Sequence, residues 1–171
     1  MYSKLQTLKK EETFIEKIKE NEGLIFKITT IYGSDSEDRK DLYQEIVLQL
    51  WRAFEKFKNQ SHVSTWIYRV ALNTAISRLR KEKRNTETIS FREIFDTQAD
   101  VPDMLLEERT QTLYAHISHL NDIEKAVILL FLEEKSHTEI SEITGLTVSN
   151  VGTRMARIKD KLKQKINTEH V

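Results

Sequence analysis

The sequence has 171 residues, of which 39% are hydrophobic and 32% are charged, a balance that is typical of a globular helical protein. It contains no cysteine, which excludes disulfides and thiolate metal sites. No apolar run approaches membrane-spanning length and the N-terminal residues have no apolar core, so we expect a cytoplasmic protein without membrane insertion or a signal peptide.

The charges balance over the whole chain but are unevenly distributed along it. Residues 40–84 carry 10 basic and 4 acidic side chains, whereas residues 85–125 carry 3 and 9. A second group of basic residues lies between Arg154 and Lys165. The formal net charge of zero therefore does not exclude nucleic acid as a partner.

Three amphipathic helices are predicted in the first half of the chain. The first ends at Gly33, the second runs from about Glu37 to Phe57, and the third runs to Arg84 with Ser64 or Thr65 as its cap. Their apolar stripes could enclose one small core. In order, the stripes are Phe14, Ile18, Ile25, Ile28 and Tyr32; Leu42, Ile46, Leu50 and Phe54; and Tyr68, Leu72, Ala75, Ile76 and Leu79.

The third helix places Trp66 on its polar side, with Arg69, Asn73 and Ser77. An indole among cations and amides suits unpaired bases, because the ring can stack on a base while arginines hold phosphates. The alternative is a half-buried core tryptophan covered by a neighbouring helix. The pattern therefore indicates a single-strand binding site without excluding a structural role.

Helical periodicity fades in residues 85–104, an acidic segment that holds the only proline and is predicted to be a linker with room for a short helix around Phe91–Phe95. Helices are then predicted over Leu105–Leu120 and Ile123–Glu134, followed by two more. Ser136 and Glu139 form a capping box for the shorter one, Gly145 ends it, and Thr147 caps the last helix.

The two predicted helices and the glycine-containing turn between them follow the order of a helix-turn-helix motif. The last helix directs Val151, Met155, Ile158, Leu162 and Ile166 inward. Its opposite face suits base edges and phosphates, because it carries Ser149, Asn150, Thr153 and Arg157, with Arg154 at the border. An ordinary amphipathic helix with a solvated basic face would have the same pattern, so both interpretations stay open from this segment alone.

Together these patterns predict an all-α fold of two small helical domains, residues 1–84 and 105–171, joined by the acidic linker. A single-strand site in one domain and a duplex site in the other suit a protein that opens DNA at a fixed distance from a sequence it recognises.

Three segments, EDRKDLYQEIVLQLWRAFEKF, STWIYRVALNTAISRLRK and SHTEISEITGLTVSNVGTRMARIKDKL, carry a resemblance to a known family. In this order and spacing the chain resembles bacterial sigma factors of the extracytoplasmic-function (ECF) group, in the sigma-70 family. Two residues depart from the family pattern. Gly152 stands where a longer polar residue is usual, and Asn121 stands where proline is common.

The resemblance implies a transcription initiation factor that is not an enzyme and has no catalytic residue, metal or cofactor. Its implied partners are core RNA polymerase, promoter DNA as duplex and as melted strand, and an anti-sigma factor. The implied polymerase-binding residues are Asp41, Leu42, Gln44, Glu45 and Leu48. Those implied for minus-ten DNA and melting are Asn59, Gln60, Ser61, His62, Trp66, Arg69, Asn73, Ser77 and Arg80. Those implied for minus-thirty-five DNA are Ser136, His137, Ser149, Asn150, Thr153, Arg154 and Arg157.

Two other classes of protein are compatible with parts of the sequence. A helix-turn-helix regulator would bind duplex DNA without being a polymerase subunit and would bury Trp66. A helical metal-dependent enzyme would use His116 and His119, which are spaced to share one helix face, although no cysteine or His-Glu signature accompanies them.

Overall fold

A computed structural model describes the backbone of residues 2–57, 61–87 and 108–169, and the side chains of residues 8–57, 61–84 and 110–165. These residues form eight α-helices and no strand, in agreement with the predicted all-α fold. The helices are α1 (Tyr2–Glu20), α2 (Glu22–Tyr32), α3 (Ser36–Phe54), α4 (Val63–Glu87), α5 (Glu108–Ser118), α6 (Asp122–Leu132), α7 (His137–Thr144) and α8 (Val148–Glu169).

The first four helices form one helical unit, in which α2, α3 and α4 pack against one another and α1 covers α2 and α3. The predicted apolar stripes supply its core, with Ile25, Ile28, Ile46 and Leu50 fully buried. Asp35 begins α3 by accepting hydrogen bonds from the backbone N–H of Glu37 (2.9 Å) and Asp38 (2.8 Å). This cap fixes the chain after the break predicted at Gly33.

The single first helix predicted from the sequence is wrong, because the chain breaks at Asn21 into α1 and α2. The Asn21 side chain donates a hydrogen bond to the Lys17 carbonyl at 2.8 Å, and its own carbonyl accepts from the Leu24 N–H at 3.1 Å. The asparagine thus pairs backbone groups on both sides of the break. The predicted cap of α4 is also wrong, since the helix already begins at Val63, before Ser64 and Thr65.

The last four helices form the second unit, with α6, α7 and α8 in mutual contact and α5 against α6 and α8. Its local signals agree with the sequence. Ser136 and Glu139 form the predicted capping box, Gly145 is left-handed with φ 76°, and Thr147 Oγ1 accepts from the Asn150 N–H at 3.2 Å. Asn121 and Glu124 form a second capping box at α6, so asparagine performs the helix-starting role at this position.

The two units lie against each other, and their buried apolar residues form one continuous cluster. Helix α2 contacts α5 and α6, while α4 contacts α6 and α7. The predicted short helix around Phe91–Phe95 lies outside the described residues, and the side chains of Leu106 and Ile166 do as well. Within the described part of the chain, none of the helices is both long and apolar enough to cross a membrane.

Candidate nucleic-acid and protein interfaces

Helix α3 exposes one face of mixed charge and apolarity. Asp41, Gln44 and Leu48 are exposed along it, and Leu48 keeps 46% of its surface accessible. Glu45 is half-buried on the same face. Leu42 differs from the other predicted binding residues, because it is 2% exposed and belongs to the core with Ile46 and Leu50. It can support the α3 face from inside but cannot offer its own surface to a partner.

A groove of about 560 Å³ lies beside Leu48, between α3 and α1. Helix α1 contributes Phe14 and Ile15 to its wall, and α3 contributes Tyr43, Val47 and Trp51 with Gln44 and Leu48. Ile15 is 50% exposed and was not identified from the sequence as a site residue. Its position in the helical repeat could have identified it, because Ile15 is an apolar residue that lies outside the buried stripe of Phe14 and Ile18 and therefore faces outward.

Arg78 holds α4 against the acidic side of α3. Its guanidinium forms an ion pair with Asp38, lies 3.9 Å from Glu45 and donates from Nε to Glu82 at 3.0 Å. Arg78 belongs to the basic segment of residues 40–84, and the structure engages it with carboxylates. Arg78 of α4 therefore stabilises the position of α3 through the carboxylates of Asp38 and Glu45.

The polar face of α4 is open at Arg69, Asn73, Ser77 and Arg80, all of which are exposed. Ser61 and His62 are exposed before the helix, whereas Asn59 and Gln60 lie outside the described residues. This face thus gathers cations and an amide on one helix.

Trp66 is half-buried at the first turn of α4. Its ring stacks on Phe57, with centroids 4.6 Å apart and planes at 27°, and lies 6.2 Å from Phe54. The indole is therefore a half-buried member of an aromatic cluster and not an isolated ring among arginines. An aromatic cluster of this kind holds the indole in a fixed orientation while leaving part of it accessible.

The helix-turn-helix presents the polar face predicted for α8. Ser149, Asn150, Thr153 and Arg157 are exposed. Arg154 is half-buried and donates from Nε to the Asn150 side chain at 3.1 Å. Ser136 and His137, at the start of α7, are exposed on the neighbouring helix. Two helices therefore contribute polar side chains around the turn.

Polar contacts link the two helical units, and no local sequence pattern predicted them. Arg69 Nη2 donates to the Glu142 carbonyl at 3.0 Å, near the C-terminus of α7 where a cation is favoured. The Tyr32 hydroxyl donates to the Asp122 carbonyl at 2.6 Å, and Lys83 pairs with the Asp122 carboxylate at 3.0 Å. One nitrogen of the exposed Arg69 guanidinium is consequently hydrogen-bonded to the second unit in this arrangement.

Glu133 is the centre of a second group of contacts between the units. Lys27 of α2 forms an ion pair with its carboxylate. Burial raises the pKa of the Tyr68 hydroxyl, and the charge of Glu133 and a hydrogen bond to it raise that pKa further. Tyr68 therefore stays neutral beside this carboxylate.

The two histidines considered as metal ligands differ in environment. His116 is buried and His119 is exposed, and both line a cleft that also includes Glu124 and Lys161. Glu124 is already paired with Lys161 at 2.6 Å. In the described ranges no group of three or more His, Asp or Glu side chains is arranged to hold a metal ion.

Comparison with known families places matches in both halves of the chain. The family model for sigma-70 region 2 matches residues 18–85, and the model for sigma-70 region 4 matches residues 110–162. The first match covers most of the unit α1–α4, and the second covers the helix-turn-helix with the helices that precede it.

Comparison with curated proteins finds relatives along most of the chain. The ECF RNA polymerase sigma-E factor of Haemophilus influenzae is 30% identical over 141 residues, which is 75% of this chain and 75% of that relative. The RNA polymerase sigma factor YlaC of Bacillus subtilis is 29% identical over 133 residues, which is 75% of this chain and 77% of the relative.

Comparison with solved structures finds the same fold at lower sequence identity. The sigma factor RpoE of Bartonella quintana, in a complex with the anti-sigma factor NepR, superposes with a TM-score of 0.70. The match is 16% identical and covers 91% of this chain and 98% of that chain. At this identity the likeness establishes the arrangement of helices alone.

Proposed function

Since the chain belongs to the ECF group of sigma-70 RNA polymerase sigma factors, we propose that it binds core RNA polymerase, places it on a promoter and helps to open the minus-ten region. It acts in the cytoplasm as an initiation factor and has no catalytic activity of its own. The observation that supports this most is that the chain exposes three separate surfaces of different chemistry. Those on α4 and α8 carry polar and cationic side chains that suit DNA, and the one on α3 carries carboxylates beside an exposed leucine and suits a protein partner.

The domains divide this work. Residues 1–84 form the domain for polymerase binding and minus-ten DNA, residues 85–104 form the linker, and residues 105–171 form the domain for minus-thirty-five DNA. The region 2 and region 4 matches at residues 18–85 and 110–162 support this division. An anti-sigma factor is a further proposed partner, in line with the complex in which the Bartonella quintana relative was solved.

The polymerase-binding surface is the α3 face formed by Asp41, Gln44, Glu45 and Leu48. Carboxylates beside an exposed leucine suit a basic helical partner, with the apolar contact at the centre and the charges at the rim. The groove beside Ile15 extends the same surface onto α1. Leu42 contributes by holding this face in place from the core.

The DNA-binding surfaces act on different forms of DNA. Exposed Arg69, Asn73, Ser77 and Arg80 on α4 hold the opened strand, and Trp66 offers the accessible part of its ring to a base. The segment of Asn59, Gln60, Ser61 and His62 receives a base flipped from the stack. The exposed residues of α8, with Ser136 and His137 of α7, contact the upstream duplex in the major groove.

Reconstituted transcription tests the proposed function. Core polymerase is mixed with the purified chain on genomic DNA, and the 5′ ends of the transcripts are mapped. We expect initiation at defined sites only when both components are present. Footprints of the chain on duplex DNA without polymerase, together with no new start sites, would instead indicate a helix-turn-helix regulator.

Asp41→Lys is the variant that connects initiation to the α3 face. It is preferred to a change at Glu45, because Glu45 lies 3.9 Å from Arg78 and its reversal would disturb the packing of α4. We expect roughly tenfold weaker binding to core polymerase, which corresponds to about 1.4 kcal/mol. Asp160→Lys, on the exposed side of α8, is the matched charge-reversal control. Equal affinities for Asp41→Lys and wild type would contradict the assignment of this face.

A further inference from the structure

Gly152 leaves a gap in the second turn of α8, on the helix that faces duplex DNA. Glycine in a helix interior costs about 1 kcal/mol relative to alanine and supplies no side chain for a contact. A methyl group at this position would meet only ordinary van der Waals contacts, so the core does not require a glycine here. The residue is therefore not explained by close packing.

The side chain that lies nearest to this position comes from the other helix of the motif. The imidazole of His137 lies over Gly152, with Nδ1 3.8 Å and Cε1 3.9 Å from the position of that methyl group, whereas Nε2 lies more than 4 Å away. His137 is exposed and is the first residue of α7, where the Ser136 capping box fixes the backbone. Its position beside α8 follows from a defined helix start and not from a loop.

Imidazole has the chemistry of a base reader. Its two ring nitrogens can donate or accept a hydrogen bond. In the major groove both purines offer an acceptor at N7, beside the O6 acceptor of guanine or the N6 donor of adenine. Two nearby side chains of α8 already donate hydrogen bonds within the helix: Thr153 to the backbone carbonyl of Ser149 at 3.1 Å, and Arg154 to the Asn150 side chain at 3.1 Å. His137 thus adds a polar group to the recognition surface at the point where α8 has none.

The geometry points to His137 as a specificity-determining residue that makes, from α7, the base contact that Gly152 cannot make from α8. This rests on the proposed function, because it assigns one reader within the proposed duplex-binding surface. Its ligand is a purine edge in the major groove, at one base pair of the upstream promoter element.

The test is selection of upstream promoter elements from a randomised library by holoenzyme reconstituted from core polymerase and the full chain. His137→Ala should reduce the preference at one base pair roughly five- to tenfold, the lower end of what one base contact supplies. Thr138→Ala, at the adjacent exposed position, is the matched control and should leave every preference unchanged. Gly152→Ala should also preserve the preference, since the added methyl group fits beside the imidazole.

Gly152→Gln supplies the decisive comparison. The longer side chain takes the space of the imidazole, so the preference at the same base pair should change, and adding His137→Ala to this variant should have no further effect there. Melting curves of each variant, followed by circular dichroism, distinguish loss of folding from loss of base recognition.

Two outcomes would overturn the assignment. Uniform weakening on all sequences with a smaller salt dependence would make His137 a phosphate contact only. Unchanged preferences in His137→Ala would remove it from the interface. If wild type directs no initiation, the sigma role fails by itself, and the same library is then selected with the chain without polymerase, where the same comparisons decide on His137.

Discussion

Leu42 and Leu48 lie on the same helix but in opposite surroundings, and the difference follows from their phase. Leu42 is 2% exposed and packs with Ile46 and Leu50, whereas Leu48 is 46% exposed beside the groove that α1 lines. A buried leucine contributes to folding, and an exposed one on a surface with charged neighbours is available to a partner. Substitution of Leu42 therefore tests the stability of the fold, and substitution of Leu48 tests binding to a partner.

We expect Leu42→Ala to lower the free energy of unfolding by about 2–5 kcal/mol, because it leaves a cavity in the core. Leu48→Ala should change the free energy of unfolding by no more than about 0.5 kcal/mol. The same variant should weaken binding to core polymerase roughly fivefold or more, as truncation of an interface anchor does. Urea denaturation and competition against wild type measure the two effects. Stable Leu48→Ala with wild-type affinity would exclude this part of α3 from the interface.

Trp66 is the second residue at which stability and function have to be separated. Stacking of one aromatic ring on a base is worth roughly 1–3 kcal/mol, so Trp66→Ala should lower the occupancy of the open promoter complex by about one to two orders of magnitude. It should also cost some stability, because one side of the indole packs on Phe57. Permanganate reactivity of melted thymines beside a melting curve measures both.

A promoter with a pre-melted minus-ten bubble distinguishes the two roles of Trp66. If the ring holds an unpaired base during opening, the bubble should restore most of the activity of Trp66→Ala. Phe57→Leu is the control, because it disturbs the stacking partner and retains the indole. A defect of Trp66→Ala that follows the melting temperature and is not restored by the bubble would leave the residue a purely structural role.

At the scale of the elements, local sequence signals predicted helix ends in the second unit, but contacts between residues far apart in the sequence could not be predicted from it. Ser136, Gly145 and Thr147 act on backbone groups within a few residues, so their types were sufficient. The break at Asn21 was missed because Ile18 and Ile25 are seven residues apart and stay in phase across it. The contact of Arg69 with Glu142 depends on residues 73 positions apart, for which no periodicity gives a signal.

The start of α3 is an element whose stability should depend on pH. Hydrogen bonds from the backbone of Asp38 hold the pKa of the Asp35 carboxyl below its ordinary value of 3.8, with smaller contributions from Glu37, Ser34 and Arg39. A depressed folded-state pKa stabilises the fold above the unfolded-state value and loses this contribution as the pH falls through the folded-state value. Asparagine caps a helix about as well but does not titrate in this range.

We therefore expect wild type to be more stable than Asp35→Asn at pH 6, and this difference to shrink as the pH falls below about 4. Asp35→Ala should be less stable than Asp35→Asn at every pH, because it removes the cap itself. Urea denaturation of the three proteins at pH 3, 4 and 6 measures the differences. A difference between wild type and Asp35→Asn that is independent of pH would contradict the role of the charged cap.

At the scale of the whole molecule, one residue of the proposed minus-ten surface also links the two units. Arg69 donates one of its five N–H groups to the Glu142 carbonyl of α7 and would have to give up this hydrogen bond to turn its whole guanidinium toward a DNA strand. We therefore expect the units to separate when the chain enters its complex with polymerase and DNA. The ion pairs of Lys27 with Glu133 and of Lys83 with Asp122 then contribute, together with the apolar cluster shared by the units, to how easily they separate.

Glu133→Gln should shift the free chain toward separated units. The amide keeps the size of the side chain but loses its charge attraction to Lys27, and a partly exposed ion pair contributes about 0–1 kcal/mol. The population of separated units should therefore rise by up to about fivefold. The apparent affinity for core polymerase should rise by the same factor, since closed molecules do not bind.

Fluorescence energy transfer between the two units measures their separation. The chain has no native cysteine, so Lys56→Cys and Lys163→Cys can carry a pair of fluorophores across the two units. Energy transfer should fall in Glu133→Gln, and should fall in wild type as salt is raised, because exposed pairs are screened. Glu134→Gln, the adjacent and more exposed carboxylate, is the matched control and should behave as wild type. Equal energy transfer in Glu133→Gln and Glu134→Gln would show that the carboxylate of Glu133 does not control the separation of the units.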